Sequence, residues 1–124
     1  MSTVLDLGNM QYIALETYRK SGEGVKTPVW VVADGERLLV MTLESSWKVK
    51  RIQNNAAVRI AKCDMQGNLE GEWVEGEAEV LTGESIEAKV KKLIVQKYGL
   101  FARFFLFMGW VRRERYVGVA ITDR

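Results

Sequence analysis

Residues 27–52 read TPVWVVADGERLLVMTLESSWKVKRI, and the fold turns on how that stretch is read. Residues 27–33 are β-branched and aromatic, the composition of a strand. Pro28 has no backbone N–H to donate, which places it at a strand start or on a sheet edge. Asp34-Gly35 is a two-residue hairpin signal, because glycine accepts positive φ. Residues 36–42, ERLLVMT, then return antiparallel. Beyond Thr42 the pattern changes. Ser45 or Ser46 offers a hydroxyl to cap the unpaired N–H groups of a helix start, and Trp47, Val49 and Ile52 mix with Lys48, Lys50 and Arg51. A hairpin that delivers a cationic helix start suits a phosphorylated, flat ligand.

Working outward, residues 4–10 read as a short helix or an irregular lead-in. Residues 11–19, 56–63, 71–81 and 115–121 read as further strands, with turns at SGEG and DMQGN and a bend at Gly76. Residues 83–98 carry Ile86, Val90, Leu93, Ile94 and Tyr98 at helical spacing. Glu84 and Glu87 favour the start of that helix and Gly99 stops it. Residues 100–109, LFARFFLFMG, form a second, apolar helix. The order predicts a mainly β chain of five or six strands, with helices inserted after the third and the fifth. This is an antiparallel barrel or sheet with flanking helices.

The 124 residues suit one domain spanning 1–124, and 48% hydrophobic content supplies a small core. Net charge is +2. Positions 48–51 and 112–115 are basic and 70–79 are acidic, a distribution that fits one anionic site better than nucleic acid. With no histidine and one cysteine, most routes to side-chain catalysis or metal chemistry are closed, so any redox chemistry needs a borrowed cofactor. The lone Cys63 and the absence of a signal-like start predict a cytoplasmic protein. The longest apolar run, 104–111, is too short to span a bilayer.

Four groups of residues are candidates. Ser45, Ser46, Lys48 and Lys50 can bind a phosphate, or can simply solvate an amphipathic helix. Trp30, Trp47 and Trp73 can stack on a flat ring, or can fill core volume. The segment FFLFMGW is a homodimer interface, a membrane-surface helix rimmed by Arg103, Arg112 and Arg113, or core. The acids Glu70, Glu72, Glu75, Glu77 and Glu79 can pair for catalysis, though alternate strand positions facing water explain most of them. Cys63 reads as a buried thiol.

Taken in order, TPVW, the Asp-Gly hairpin, the strand ending at Thr42 and Ser46 with Lys48-Val-Lys-Arg-Ile form one set of motifs. The Asn-Asn turn, the strand ending Cys63-Asp64, WVEGEA and KYGLFARFF complete it. This order resembles the pyridoxamine-phosphate-oxidase-like, FMN-binding split-barrel superfamily, and within it the branch of coenzyme F420-dependent enzymes. The resemblance runs from about Tyr12 to the C-terminus. It implies a six-stranded split β-barrel working as a homodimer, with the cofactor in the groove between subunits. Lys48 and Lys50 would meet the cofactor phosphate, and Thr42, Ser45 and Ser46 would add hydrogen bonds. Pro28, Val29 and Trp30 would run beside the ring system, mainly through backbone. Without histidine, vitamin B6 oxidation and histidine-ligated haem are not expected. The implied function is hydride transfer between F420 or FMN and a small organic substrate. The alternative is a non-catalytic flavin or F420 carrier, or a cofactor-free interaction module.

Overall fold

The computed structural model describes residues 3–124. After a 3-10 turn at Val4–Leu7 come β1 (Ile13–Tyr18), β2 (Gly24–Val29), β3 (Val32–Asp34), β4 (Arg37–Leu43), α1 (Trp47–Asn54), β5 (Ala57–Lys62), β6 (Val74–Leu81), α2 (Glu84–Tyr98), α3 (Leu100–Val111) and β7 (Tyr116–Asp123). All seven strands form one antiparallel sheet in the order β2-β1-β5-β6-β7-β4-β3.

The edge strands β2 and β3 stand at opposite ends of that order, yet only Trp30 and Val31 lie between them. Three Cα steps reach at most about 11 Å. The sheet must therefore curl until its two edges stand side by side. The result is a half-closed barrel, split where the chain itself, rather than a hydrogen-bond ladder, crosses from one edge to the other. This accounts for the seventh strand. The run at 27–33 is not one strand, as expected, but two separated by the break at Trp30-Val31. The helices accordingly follow the fourth and sixth strands instead of the third and fifth. Pro28 sits on the edge strand β2, where a residue without a backbone donor is tolerated.

Two smaller expectations also shift. Asp34 pairs with Arg37, so the hairpin turns on Gly35 (φ 61°) and Glu36, one residue later than the Asp-Gly signal suggests. The strand expected over 71–81 begins at Val74, which leaves Trp73 outside it. Its pairing with β5 runs unbroken through Val58↔Gly76, with no bend there.

Period-2 alternation fills both sides of β4 and β7. Leu38, Val40, Val119 and Ile121 turn inward with Ile13, Leu15 and Ile60 to form the barrel interior. Leu39 and Ala120 turn outward onto Val90 and Ile94 of α2 and Ala102 of α3. Each large aliphatic side chain buried this way contributes about 1.5–3 kcal/mol. Helix α1 lies against β1 and β6 and buries Val49 and Ile52. On β6, Val74, Gly76 and Ala78 point inward while Glu75, Glu77 and Glu79 alternate into solvent. Those acids behave as a solvated strand face, not as a paired catalytic set.

Candidate functional site

The break between β2 and β3 opens a cleft of about 410 Å³. Pro28, Val29 and Trp30 line one side, Met41, Thr42 and Leu43 come from the end of β4, and Lys48 comes from the first turn of α1. Phe101 and Phe105 of α3, with Tyr12, Met65 and Tyr116, complete the lining. The volume falls within the range of small-molecule sites, and the lining is mostly apolar with a few convergent polar groups.

Trp30 is fixed by its neighbours. Its indole stacks on Tyr98 at 4.6 Å with 14° between planes, and it meets Phe101 and Phe105 edge-on or tilted at 6.0 and 5.4 Å. The irregular backbone behind it needs partners from outside the sheet. The Val31 N–H donates to Tyr98 Oη at 3.0 Å, and that hydroxyl donates to the Gln11 carbonyl at 2.8 Å. Lys97 Nζ donates to the carbonyls of Gly8, Met10 and Val31 at 3.0, 2.7 and 2.5 Å. Burial pushes the Tyr98 phenol up and the Lys97 ammonium down from their ordinary values. The last turn of α2 thus pins the break that forms the cleft. Sequence reading took Tyr98 as one more apolar helix position and passed over Lys97. The available signal was a paired cation and phenol immediately before the helix-stopping Gly99.

Helix α3 approaches closely because residue 109 is glycine: a Cβ there would collide with the Tyr116 phenol. The Tyr116 backbone N–H donates to Glu87 Oε2 at 2.7 Å, which ties β7 to α2.

The polar end of the cleft lies at the start of α1. Thr42 is buried, with its Oγ1 3.3 Å from Ser46 Oγ. Ser46 caps the helix by accepting from the Val49 N–H at 3.4 Å, and no acidic residue occupies the first turn. Lys48 is half-buried. Desolvation, followed by the nearby Arg51 charge, holds its ammonium below the ordinary lysine value of 10.5. A buried cation repelled by another cation gains from an anion placed beside it.

Of the residues the sequence offers for a phosphate or a ring, Pro28, Val29, Trp30, Thr42 and Lys48 converge here. Ser46 stands behind Thr42. Trp47, Lys50, Ser45 and Trp73 lie elsewhere. Residues two apart on a helix do not share a face, so Lys50 points away from Lys48. Its ammonium sits 4.4 Å from the Trp47 ring centroid, in a separate groove of about 520 Å³ with Tyr18, Arg19, Lys20, Arg51 and Asn54. Ser45 is exposed beside Glu44 and Arg113, Glu114 and Arg115. Trp73 lies under the Arg59 guanidinium at 4.2 Å, and Arg59 bonds Glu16 at 2.6 Å on the outer face of β1 and β5. Cys63 is buried, with its thiol pushed up mainly by desolvation.

Helix α3 adds little to the core within this chain. It buries only Ala102 and Gly109, while Leu100, Phe101, Phe104, Phe105, Phe107, Met108, Trp110 and Val111 are exposed. No helix among the described residues is long and apolar enough to cross a membrane.

No family model and no curated protein matches the chain. Solved structures do match it. HutZ, the heme storage protein of Vibrio cholerae, superposes with a TM-score of 0.70 at 10% identity, over 97% of this chain and 87% of that one. An F420 reductase gives 0.64 at 18% identity, over 100% and 95%. A pyridoxamine 5'-phosphate oxidase-related, FMN-binding protein from Nostoc punctiforme gives 0.55 at 17% identity, over 73% and 52%. What these three share with the chain is the curled antiparallel sheet with its flanking helices. The protein has the FMN-binding split-barrel fold of the pyridoxamine-phosphate-oxidase-like proteins.

Proposed function

We propose that the protein is an oxidoreductase that holds F420 or FMN in the cleft between β2, β4 and α1 and serves a small organic substrate. One observation carries this reading: Lys48, desolvated and in no ion pair among the described residues, stands with Thr42 at the polar end of a mostly aromatic and apolar cleft. The residues suit such a cofactor. Lys48 and the acid-free start of α1 would take the phosphate, with Thr42 beside them. The Pro28–Trp30 backbone and the Trp30 indole would flank the ring system, and Phe101 and Phe105 would exclude water from one side. When bound, the cofactor supplies the hydride chemistry that a chain without histidine lacks. The chain's own part is to anchor, orient and desolvate.

The cleft is open, with Met65 and Phe101 exposed at its rim. A second copy of the chain would close it, so the working unit in this reading is a homodimer. The likeness to an F420 reductase and to an FMN-binding protein supports the class of cofactor.

The test is a titration with FMN and with F420, read by tryptophan fluorescence. Removing one charge-assisted hydrogen bond costs about 1.5–3 kcal/mol, so Lys48→Ala should weaken binding by about tenfold or more. Lys50→Ala should change it little. Unchanged affinity in Lys48→Ala would overturn the assignment. A second reading, a non-catalytic carrier, is favoured by the likeness to a heme storage protein. In that case the cofactor would bind without supporting turnover of any acceptor, and a cofactor-free module would bind neither FMN nor F420.

A further inference from the structure

The exposed side chains of α3 divide into two stripes. At 100° per residue, Phe101, Phe105 and Met108 lie toward the cleft and its extension. Leu100, Phe104, Phe107 and Val111 form a separate stripe at i, i+4, i+7 and i+11. These four are 80%, 65%, 56% and 55% exposed and face away from the buried Ala102 and Gly109. Phe104 also borders the groove that extends the cleft past Phe105 and Met108, whereas Leu100, Phe107 and Val111 line neither the cleft nor that groove. A row of exposed apolar side chains of that kind marks a contact.

The surrounding charge identifies what it contacts. Arg103 lies about 70° to one side of the stripe's centre and Arg112 about 110° to the other, and Arg113 follows at the helix end. No Asp or Glu occurs from Gly99 to Arg113. None of these three arginines takes part in an ion pair among the described residues. Trp110, 73% exposed, sits beside Arg103 on the rim, the place that indole rings occupy at membrane–water boundaries. A second copy laid on this stripe would bring the arginines of both chains together, in a segment that carries no acid from Gly99 to Arg113. An anionic bilayer would answer every one of them.

We propose that α3 docks the protein on anionic membrane surfaces, with Leu100, Phe104, Phe107 and Val111 inserted among the lipids and Arg103, Arg112 and Arg113 against the headgroups. The helix has twelve residues. That is too short to span, but it suits an in-plane interfacial helix. The docked face adjoins the α3 side of the cleft. The proposal does not depend on which cofactor, if any, the cleft holds.

The test uses the full chain and flotation with vesicles of phosphatidylcholine, with and without phosphatidylglycerol. Binding should require phosphatidylglycerol and weaken with salt. Each arginine near a charged surface is worth about 1 kcal/mol, so Arg103→Gln/Arg112→Gln/Arg113→Gln should lose about a hundredfold. Phe104→Ser/Phe107→Ser should lose vesicle binding while keeping its fold by circular dichroism. Absence of binding to anionic vesicles would overturn the proposal. So would a Phe104→Ser/Phe107→Ser variant that floats unchanged, or one that converts a dimer to a monomer in sedimentation without affecting flotation.

Discussion

At the scale of single residues, Lys48 and Lys50 show how far a sequence motif reaches. Both lysines belong to one basic run, and the run itself was legible. What separates them is the helical period, which sends one into the cleft and stacks the other on Trp47. The environment of Lys48 also has a pH signature. Burial lowers its value, so its ammonium is lost at a lower pH than that of an exposed lysine. Attraction for a phosphate is thus full below that lowered value and declines as pH rises through it. Cofactor affinity in the parent protein should therefore fall on alkaline titration, whereas Lys48→Ala should show a flatter profile over the same range. Equal slopes in the two would remove Lys48 from the site.

At the scale of elements, the decisive feature is where one strand becomes two. Trp30 and Val31 are good strand residues, and nothing in their composition announces a break. The break is imposed by tertiary contacts, since Tyr98 and Lys97 take up the backbone groups that a continuous strand would give to a neighbour. Propensity is a weaker term than a set of part-buried hydrogen bonds that satisfy the freed backbone groups. The same clamp orders the cleft. Tyr98→Phe keeps the ring stacked on Trp30 but leaves the Val31 N–H and the Gln11 carbonyl without their partner. A loss of about 1–3 kcal/mol in stability is expected, measured by urea unfolding, together with weaker cofactor binding. A variant as stable as the parent would show that the hydroxyl holds nothing. The helices were far easier to read. Of the two serines the sequence offers, Ser46 caps α1, and Gly99 separates α2 from α3 as expected, because such signals act locally and need no distant partner; the end of α3 shifts, running to Val111 rather than to 109.

At the scale of the whole molecule, the closure of the barrel could not be read from any segment. It depends on which strands pair, and the pairing of β7 with both β4 and β6 joins residues far apart in sequence. The resemblance to split barrels supplied that topology where local pattern could not. It also carried over Ser45 and Lys50, neither of which lines the cleft, and Trp73, offered by its aromatic ring alone, does not line it either. The edge strand β3 is held to α2 by Asp34, whose Oδ2 meets Lys89 Nζ and Arg37 Nε, each at 3.0 Å. The bond to Lys89, followed by that to Arg37, keeps the Asp34 carboxyl below its ordinary 3.8. A depressed carboxyl stabilises the fold above its unfolded-state value, and that contribution is lost as pH falls through the folded-state value. Asp34→Asn should therefore cost about 0.5–1 kcal/mol near neutral pH and nothing once the pH lies below both values. Thermal melts of the two proteins should converge on acidification. A constant gap would mean that the pair contributes through packing alone.

The central claim is that the cleft at the strand break holds the phosphate of a flat redox cofactor at Lys48. Its most direct test is a crystal structure of the protein grown with excess FMN or F420. The account predicts the phosphate within hydrogen-bond distance of Lys48 Nζ at the first turn of α1, with the ring system beside Pro28, Val29 and Trp30. A ligand lodged instead in the groove of Trp47 and Lys50, or Lys48 turned to solvent above an empty cleft, would contradict it.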